Sequence, residues 1–481
     1  MNSQTTLSLI VFVPVLLALT LPLAGKISLR LRNSLALVLC LVPLLCSLSL
    51  IPAALSGKTV TLGRELGLGV NFIFTADALA VFVACVSSFI STLIVVYSFG
   101  YISHYQNQNE YYSMVVLFLG GMMGLVFAGN LIFLYLFWEI TAITSWRLIG
   151  FFRDKYIVER ADKAFLVTVF GALLMLLGFI RLFQETGSFD LLVIKEVVKT
   201  HPISNLTIAL ILAGILSKSA TLPFHTWLPD AGVAPSPVTA LLHAAVLVKI
   251  GVYVFARIFV ATIPLPINWQ VIVPVIAGIS ALVSAGAALI ETDLKRIIAY
   301  STISQIGFIF LGFSFGNSIG VAGALLYILM HGLAKAGLFL CAGIVEQNTK
   351  IKDITKLGGL IKTMPVTAMA FLLCAFSVMG IPPFGGFFAK FMVMTGAVTS
   401  GHIVISMVFL VGAFMTIMYL FRVFNMVFLG EPKTTPVREG SPVMVWTVAV
   451  FAALSLLGGL LIWWPDALAQ TATLQMLGAI R

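Results

Sequence analysis

The 481-residue sequence is 60% hydrophobic and only 10% charged, whereas soluble globular proteins are about one quarter charged. Apolar runs this long and frequent cannot be buried in a water-soluble fold, so the composition indicates a polytopic membrane protein. The formal net charge of +10 does not indicate nucleic-acid binding, because the 28 Lys and Arg residues are scattered over predicted loops and membrane segments. No nucleic-acid partner is expected.

Fourteen apolar runs are long enough to cross the ~30 Å hydrocarbon core of a bilayer as helices. The first has no basic residue before Lys26 and no small-residue cleavage pattern, so we expect a membrane helix and not a signal peptide. The predicted fold class is an all-α polytopic membrane protein. The runs lie near residues 5–24, 33–54, 75–99, 112–129, 131–151, 162–183, 205–222, 236–260, 267–290, 297–315, 320–345, 364–396, 403–429 and 443–464.

The basic residues of the predicted loops are distributed unevenly between the two sides of the membrane. Fifteen lie on one side, among them Lys163, Arg296 and Lys350, and seven lie on the other. Because Lys and Arg are enriched in cytoplasmic loops, the richer side is predicted to be cytoplasmic. An even number of helices then puts both termini on the non-cytoplasmic side of the cell (inner) membrane.

The seventh and twelfth predicted helices contain sequences that interrupt a helix. Residues 222–230 (LPFHTWLPD) and 380–386 (GIPPFGG) each contain two prolines, and irregular backbone at membrane depth is tolerated only where protein or a wet cavity satisfies it. Since the breaks are five helices apart, helices 4–8 and 9–13 are predicted to form two inverted repeats, as in secondary transporters. The expected segments are 1–110 (three helices), 111–262 (first repeat), 263–430 (second repeat) and 431–481 (a C-terminal helix).

Seven ionisable residues are predicted to lie inside the membrane, where a central lysine costs at least ~2.5 kcal/mol. A single acid, Glu139, with several lysines and histidines suits a proton relay. The alternatives are a structural ion pair for Glu139, capping of freed carbonyls for the lysines beside the breaks, and hydrogen-bonded core positions for the histidines. The seven residues are Glu139, Lys218, Lys249, Lys335, Lys390, His243 and His331.

The spacing of these residues predicts some of their neighbours. His331 and Lys335 are four residues apart and share a helix face. His243 and Lys249 are six apart, so they line different sectors and could be joined only through water or a neighbour.

Further polar residues lie beside the first break and at helix ends. His225 and Asp230 form either a surface turn or a site of proton uptake, and His243 is a third candidate for an uptake channel. Arg147 and Arg422 are expected to extend from helix ends towards the membrane surface.

The five cysteines lie in apolar stretches with no Cys-x-x-Cys or Cys/His cluster. We therefore expect no iron–sulfur cluster, zinc site or disulfide framework. The sequence also has no nucleotide-binding loop. No cofactor, metal or catalytic centre is predicted in this chain, and any redox chemistry would lie in a partner.

Several motifs, in order along nearly the whole chain, resemble the antiporter-like membrane subunits. This family comprises the proton-pumping subunits of respiratory complex I, the Mrp-type cation/proton antiporter subunits and the membrane-bound hydrogenase subunits. The motifs are 137–141 (FWEIT), 217–219 (SKS), 223–231 (PFHTWLPDA), 234–238 (APSPV) running to His243 and Lys249, 293–305 (DLKRIIAYSTISQ), 331–336 (HGLAKA), and 356–360 (KLGGL) with the proline break before Lys390.

The resemblance implies fourteen helices, two inverted five-helix repeats and a polar axis along the membrane centre. It makes Glu139 the helix-five glutamate and Lys218 the helix-seven lysine that pairs with it. It also makes Lys249 the bridging lysine of helix eight, and Lys390 the terminal lysine of helix twelve. The helix-eleven pair would be His331 and Lys335. Arg147 departs from the family pattern, which usually has an aliphatic residue there, so the cytoplasmic end of helix five is expected to dock differently.

These observations predict an ion-translocating subunit of a larger membrane complex, moving protons with sodium/proton exchange as a variant. The complex would be a redox-driven complex I-like or hydrogenase assembly, or an Mrp antiporter. Its other membrane subunits, the lipid bilayer and a peripheral redox module are the expected partners. A subunit of an inorganic-carbon uptake complex is the alternative. An ordinary solute carrier fits less well, because a polar cluster shaped for an organic ligand is missing.

Overall fold

The computed structural model describes residues 3–65, 71–433, 435 and 438–479. Among these residues, twelve helices are long and apolar enough to cross a membrane. Two shorter apolar helices occupy the positions of the seventh and twelfth predicted spans. The all-α polytopic class is therefore confirmed, while the inverted repeats and the four-segment division stay predictions. The chain ends, residues 1–2 and 480–481, lie outside the described residues, and the orientation of the termini also stays a prediction.

The membrane helices, numbered by the predicted spans, have the following bounds. They are α1 Ser3–Ile27, α2 Leu29–Leu55, α3 Ala78–His104, α4 Gln108–Phe127, α5 Leu131–Ile149, α6 Lys155–Thr186, α7 Asn205–Lys218, α8 Ser236–Val260, α9 Ile267–Ile290, α10 Leu294–Ser314, α11 Ser318–Thr349, α12 in two halves Pro365–Met379 and Gly385–Thr399, α13 Ile403–Phe428 and α14 Pro442–Leu460. Short helices at Leu191–Val197 and Trp227–Asp230, a final helix α15 at Trp463–Met476, and 3-10 helices at Ala231–Val233, Ile354–Lys356 and Leu360–Lys362 complete the helical structure described here.

Both predicted breaks are present. Helix α7 ends at Lys218, and regular helix resumes only at Trp227–Asp230. Helix α12 stops at Met379, with Gly380 in the left-handed conformation (φ 82°) as its C-cap, and restarts at Gly385. A glycine tolerates a positive φ without steric cost, which allows the chain to leave the helix at this position.

A two-stranded hairpin was not predicted. Strand β1 (Val60–Glu65) pairs antiparallel with β2 (Asn71–Ala76), with Val60 opposite Ala76. Phe72 and Phe74 of β2 contact each other and Phe133 of α5, with ring centres 4.9 to 6.3 Å apart. The hairpin therefore packs over the end of α5.

Helix α8 departs from α-helical geometry at two places. Residues Leu241–Ala245 and Ala256–Val260 form π-helical turns, which occur frequently at functional sites. Ser87 Oγ of α3 donates a hydrogen bond to the Ala245 carbonyl at 2.9 Å. This bond satisfies a carbonyl beside the irregular turn.

The helices differ strongly in burial. In α8, α10 and α11, more than nine-tenths of the apolar segment is buried, whereas in α1, α2, α6, α13 and α14 the share is 33–39%. The first group forms the centre of the bundle and carries Lys249, His331 and Lys335. The peripheral helices expose leucine, isoleucine and phenylalanine side chains, which lipid or neighbouring membrane subunits would cover.

Candidate functional site: a buried axis of protonatable side chains

A lysine and a histidine are hydrogen-bonded at the centre of the bundle. Lys249 Nζ of α8 lies 2.5 Å from His331 Nδ1 of α11, and both residues are 1% exposed. The sequence predicted both residues for the relay but not their contact with each other. A proton on the Lys249 ammonium can be donated directly to the neutral imidazole, because a neutral ring has one accepting nitrogen.

Lys335 lies one helical turn after His331 and bonds to a different helix. Its Nζ donates to Ser301 Oγ of α10 at 2.5 Å and to the Ile298 carbonyl at 3.1 Å. The shared face of His331 and Lys335 is therefore directed towards two partners, Lys249 on one side and Ser301 on the other.

A chain of hydroxyl and amide groups continues from Ser301. Tyr419 Oη of α13 lies 2.7 Å from Ser301 Oγ and 3.3 Å from Thr416 Oγ1. Gln305 Nε2 donates to Thr416 Oγ1 at 3.1 Å, and Tyr327 Oη donates to Gln305 Oε1 at 2.6 Å. All five residues are fully buried. Hydroxyl groups both donate and accept, so Ser301, Tyr419 and Thr416 can pass a proton by reorienting their hydrogen bonds. The Gln305 amide nitrogen donates and does not accept, so Gln305 orients Thr416 and Tyr327 without relaying the proton itself.

The sequence did not predict functional roles for these five residues. Ser301 and Gln305 lie in a motif of the family resemblance, but nothing in the sequence distinguishes a buried serine that bonds a lysine from an ordinary helix serine. Tyr327 lies four residues before His331, a spacing that places both on one face of α11, and this was the one available signal.

Lys390 lies at the other end of the hydroxyl chain. Its Nζ is 4.7 Å from the ring centre of Phe308 and 5.6 Å from that of Tyr327, and it donates to the Val378 carbonyl at 2.7 Å. That carbonyl belongs to the last turn before the α12 break, so the capping contact considered from the sequence is present. The two aromatic faces provide a further favourable environment for an ammonium group.

Lys218 and Glu139 do not form the direct pair that the family resemblance implied. Lys218 Nζ donates to the Trp138 carbonyl at 3.3 Å and lies 5.2 Å from the Trp138 ring centre, and no ion pair joins it to Glu139 among the described residues. Successive residues of a helix point about 100° apart, so Trp138 faces Lys218 while Glu139 faces away beside Tyr135. The two charges still interact electrostatically.

Glu139 is partly exposed at the surface of the chain, and its Oε1 atom is buried without a hydrogen-bond partner among the described residues. Leu136 and Ile143, one turn before and after it, are more than half exposed. An ionisable group on a lipid-facing surface is costly, which favours contact with another protein at this position.

The three uptake candidates lie in different environments. His243 is fully buried in the first π-helical turn of α8, its ring centre is 4.4 Å from that of Phe339, and neither ring nitrogen has a partner among the described residues. His225 is half-buried in the α7 break, where burial, and then the charge of Lys163, lower its pKa.

Asp230 is the centre of an ion-pair cluster. Its carboxylate accepts from Arg160 and Lys163 at 2.8 Å and from Arg296 at 2.7 Å. Burial alone would raise the pKa of Asp230, but the bonds from Lys163 and Arg296, with the charge of Arg160, bring it below its ordinary value. A carboxylate so held stays ionised at neutral pH and joins α6, α10 and the α7 break, which favours a structural role over proton uptake.

Asp230→Asn is expected to lower the free energy of unfolding by roughly 2 kcal/mol, less than the ~3–5 kcal/mol of a fully buried pair because the three cations are partly exposed. Because the pKa of Asp230 in the folded protein lies below its ordinary value of 3.8, the carboxylate stabilises the fold fully at pH values above 3.8. This stabilisation is lost as the pH falls through the pKa of the folded protein. The measurement is the thermal midpoint of the purified protein between pH 3 and pH 7. Asp154→Asn, an exposed position without a capping bond, is the control, and equal midpoints for both variants at pH 7 would contradict the structural role.

Tyr419→Phe is expected to reduce proton flux about tenfold or more while leaving the fold intact, because it removes only the hydroxyl that connects Ser301 with Thr416. Flux is measured in proteoliposomes that contain the assembled complex. Tyr97→Phe is the matched control, since the Tyr97 hydroxyl is equally buried but donates to the Leu340 carbonyl at 2.9 Å, outside the axis. Equal flux in the two variants would exclude the hydroxyl chain as the route.

Arg147 and the opposite end of α8 carry further ion pairs. Arg147 and Arg153 both bond to the Glu110 carboxylate at the start of α4, so the end of α5 is docked to α4 by the residue that departs from the family pattern.

Near the other membrane face, Arg257 and Asp77 form a buried ion pair beside an open cavity of about 1100 Å³. The sequence gave no indication of this pair.

Arg422 donates to the carbonyls of Leu289 and Glu291 at the end of α9. Its contact is therefore a cap on a neighbouring helix end, at the position where the sequence predicted a side chain reaching the surface.

No group of three His, Cys, Asp or Glu side chains suited to a metal ion occurs in the described part of the chain.

The chain matches two described protein families. Residues 128–416 match the family described as NADH:quinone oxidoreductase/Mrp antiporter, transmembrane. Residues 65–112 match the family described as the N-terminus of chain 5 of NADH-ubiquinone oxidoreductase (complex I). The first match contains Glu139, Lys218, Lys249, His331, Lys335 and Lys390.

Curated relatives and solved structures are also similar to the chain. It is 32% identical, over 95% of its length, to the Na(+)/H(+) antiporter subunit A1 of Staphylococcus haemolyticus (strain JCSC1435) and to that of Staphylococcus aureus (strain Newman), and it spans 61% of the length of each. A chain of the Mrp complex from Dietzia sp. DQ12-45-1b superposes with a TM-score of 0.91 at 23% identity, covering 100% of this chain and 98% of that one. A chain of the membrane-bound sulfane sulfur reductase, an archaeal respiratory membrane complex, superposes with a TM-score of 0.89 at 22% identity, covering 99% and 100%. These two superpositions show that the chain shares the fold of those proteins.

Proposed function

Because the chain belongs to the NADH:quinone oxidoreductase/Mrp antiporter family of membrane subunits, we propose that it moves protons across the membrane as one subunit of a multisubunit complex. The observation that carries this proposal is the buried row of protonatable groups. Lys249 contacts His331, Lys335 contacts Ser301, and hydroxyl and amide groups connect Ser301 with Tyr327 beside Lys390. A structural core has no need for three buried lysines joined in this way, since apolar packing is cheaper.

Proton movement along the row would proceed between neighbouring groups. The Lys249 ammonium donates to His331, and His331 and Lys335 exchange protons along one face of α11. Lys335 donates to Ser301 Oγ, Ser301 to Tyr419 Oη, and Tyr419 to Thr416 Oγ1. The Gln305 amide connects Thr416 with Tyr327 but does not carry the proton, because its nitrogen donates and does not accept. A water would carry the proton past Gln305. Lys390 receives the proton at the far end, next to the α12 break. The pairs Lys249–His331, Lys335–Ser301, Ser301–Tyr419 and Tyr419–Thr416 are within hydrogen-bonding distance. The remaining steps would need a side-chain movement or a water.

Glu139 and Lys218, which lie outside this row, would connect the chain to another subunit. Glu139 lies on the lateral surface between exposed Leu136 and Ile143, and its charge acts on Lys218. A change of charge on a partner beside Glu139 would therefore alter the proton affinity of Lys218 without direct contact. This arrangement supports coupling from outside the chain, from a redox module or from an ion gradient.

Sodium/proton exchange is the form of the activity that we propose. The support is the similarity to relatives named as Na(+)/H(+) antiporter subunits, of which this chain spans 61%. The likeness to the sulfane sulfur reductase complex supports a redox-driven complex as the second candidate. The inorganic-carbon alternative has no support among the relatives named above.

We further propose that the chain lies in the cell membrane with its basic loops in the cytoplasm. The Asp230 cluster and the Glu110 pairs would then lie on the cytoplasmic face, and the Asp77–Arg257 pair with its cavity on the opposite face. Charge asymmetry of the loops supports this orientation.

The test is an ion-flux assay on the assembled complex in proteoliposomes. With an imposed pH gradient, addition of sodium is expected to dissipate the gradient, whereas the same concentration of choline is not. Dissipation that is the same with sodium and choline would contradict sodium exchange. If neither cation changes the pH gradient, and the electron donor of a copurifying redox module does not change it either, ion translocation itself would be contradicted.

A further inference from the structure

The guanidinium of Arg32 is buried without a carboxylate partner. Arg32 is 1% exposed, and its donors bond to the amide oxygens of Asn33, Gln108 and Asn109 at 2.6 to 3.1 Å. The Tyr112 ring centre lies 4.8 Å from its Cζ. These groups fix the guanidinium but supply no negative charge, and a buried charge without a counterion is costly.

An open cavity of about 550 Å³ lies against this guanidinium. The N-terminus of the 20-residue helix α4 also borders it, and the Asn107 side chain makes no capping bond there. The first-turn N–H groups of a long helix attract anions. A fixed arginine and an uncapped helix start thus face the same space.

The net charge around the cavity is positive. The acid that lines it, Glu110, is already bonded to Arg147 and Arg153. Counting Arg32 with these residues gives three positive charges against one negative charge, a net charge of +2. An anion would therefore complete the site.

The cavity is bordered by apolar surface on its membrane side. Pro22 and Leu29 line it, and the neighbouring Leu23, Ile27 and Leu29 are 61%, 78% and 58% exposed. Gly25 lies so close to Asn109 that an added Cβ would be 2.1 Å from the Asn109 Oδ1 atom, so α1 and α4 are held together at this point. The ligand must combine an anionic head with hydrocarbon.

We propose that this cavity binds the phosphate of an anionic glycerophospholipid, with Arg32 and the start of α4 on the phosphate and the acyl chains along the exposed face of α1 and α2. Four of the five N–H donors of Arg32 are bonded to amide oxygens, so Arg32 would act on the phosphate through its charge and its remaining N–H group, while the N–H groups of the first turn of α4 would bind the phosphate oxygens. The proposal does not depend on ion translocation.

The test is thermal stabilisation of the purified, delipidated full chain by phosphatidylglycerol, with phosphatidylcholine and inorganic phosphate as the comparison probes. Phosphatidylglycerol is expected to raise the melting temperature of the wild type and of Arg30→Gln at the same lipid concentration, and Arg32→Gln is expected to need at least about tenfold more lipid. Arg30 is the matched control because it is an exposed arginine two residues away. If Arg30→Gln and Arg32→Gln need the same increase in lipid concentration, the stabilisation comes from general surface charge and the proposed site is wrong. Stabilisation by phosphatidylcholine as large as that by phosphatidylglycerol would also overturn the site. Inorganic phosphate as effective as the lipid would show a free-anion site and overturn the lipid proposal.

A second measurement covers the case in which Arg32→Gln fails to fold. Wild-type protein is illuminated with phosphatidylglycerol that carries a photoreactive group near its headgroup. Labelling is expected within residues 21–33 and 105–114, reduced by excess phosphatidylglycerol but not by phosphatidylcholine or inorganic phosphate. Labelling spread evenly over the membrane helices would contradict the proposal. In the assembled complex, absence of labelling at these residues would mean that a partner subunit fills the site, and this would contradict it as well.

Discussion

Lys390→Met is expected to lower ion flux by the assembled complex roughly 100-fold, the range of a lost proton-transfer group. Methionine keeps most of the apolar stem and removes the ammonium. In the structure, Lys390 lies over Tyr327, where the hydroxyl chain ends, and it bonds to Val378 beside the α12 break. A proton that leaves the hydroxyl chain beside Tyr327 would therefore have no acceptor in the variant.

The measurement is flux in proteoliposomes, with assembly checked by size-exclusion chromatography. Lys362→Met is the control, because it removes the same charge from an exposed position in a basic loop. Loss of the Val378 bond also weakens the break, so the variant Lys390→Arg is needed as well. Arginine can retain the carbonyl bond but stays protonated, and it is expected to preserve assembly without restoring flux. Normal flux in Lys390→Met would place the end of the path elsewhere, near His331.

Glu139→Gln is expected to reduce flux about tenfold or more while the complex still assembles, because glutamine keeps the shape of the side chain and removes its charge. The charge of Glu139 acts on Lys218 across Trp138, so its loss would change when Lys218 accepts a proton. Glu159→Gln, an exposed position on α6, is the control.

The partial exposure of Glu139 gives this prediction a second readout. If a partner subunit contacts this surface, replacing the neighbouring Leu136 by Trp is expected to reduce copurification of that partner, whereas Glu139→Gln is not. Wild-type flux from a fully assembled Glu139→Gln complex would show that Glu139 has no part in coupling. Loss of assembly in Glu139→Gln would assign Glu139 a structural role at the contact with a partner subunit.

The membrane helices and both breaks were predictable from sequence because each depends on local features. Hydrophobic length defines a span, and prolines with glycine define a break. The hairpin Val60–Glu65 and Asn71–Ala76 was missed because two six-residue segments carry little signal beside long apolar runs. The first π-helical turn of α8 packs against α3 and α11, and such contacts between distant segments cannot be read from the local sequence pattern.

The axis was predictable in its charged members and not in its neutral ones. A lysine inside a membrane is conspicuous for its cost, which is why Lys249, Lys335 and Lys390 could be selected from sequence alone. Ser301 and Thr416 are ordinary in apolar helices, since their hydroxyls usually bond to their own backbone. Their roles depend on contacts between residues more than 30 positions apart, such as Lys335 with Ser301.

The expected pair of Glu139 and Lys218 is absent for a reason that sequence could not supply. The aromatic residue Trp138 occupies the face of α5 towards Lys218, and the glutamate next to it faces the lateral surface. Asp230 shows the converse case. A polar residue beside a break appeared suited to proton uptake, but three cations from α6 and α10 hold its carboxylate.

The most direct test of the central claim compares the isolated chain with the assembled complex in the same proteoliposomes. Glu139, whose charge acts on Lys218, is partly exposed at the surface of the chain, where a partner subunit would control it. The isolated chain is therefore expected to give no sodium-coupled proton flux, and addition of its partner subunits before reconstitution is expected to restore it. Coupled flux from the isolated chain at the rate of the complex would contradict the account.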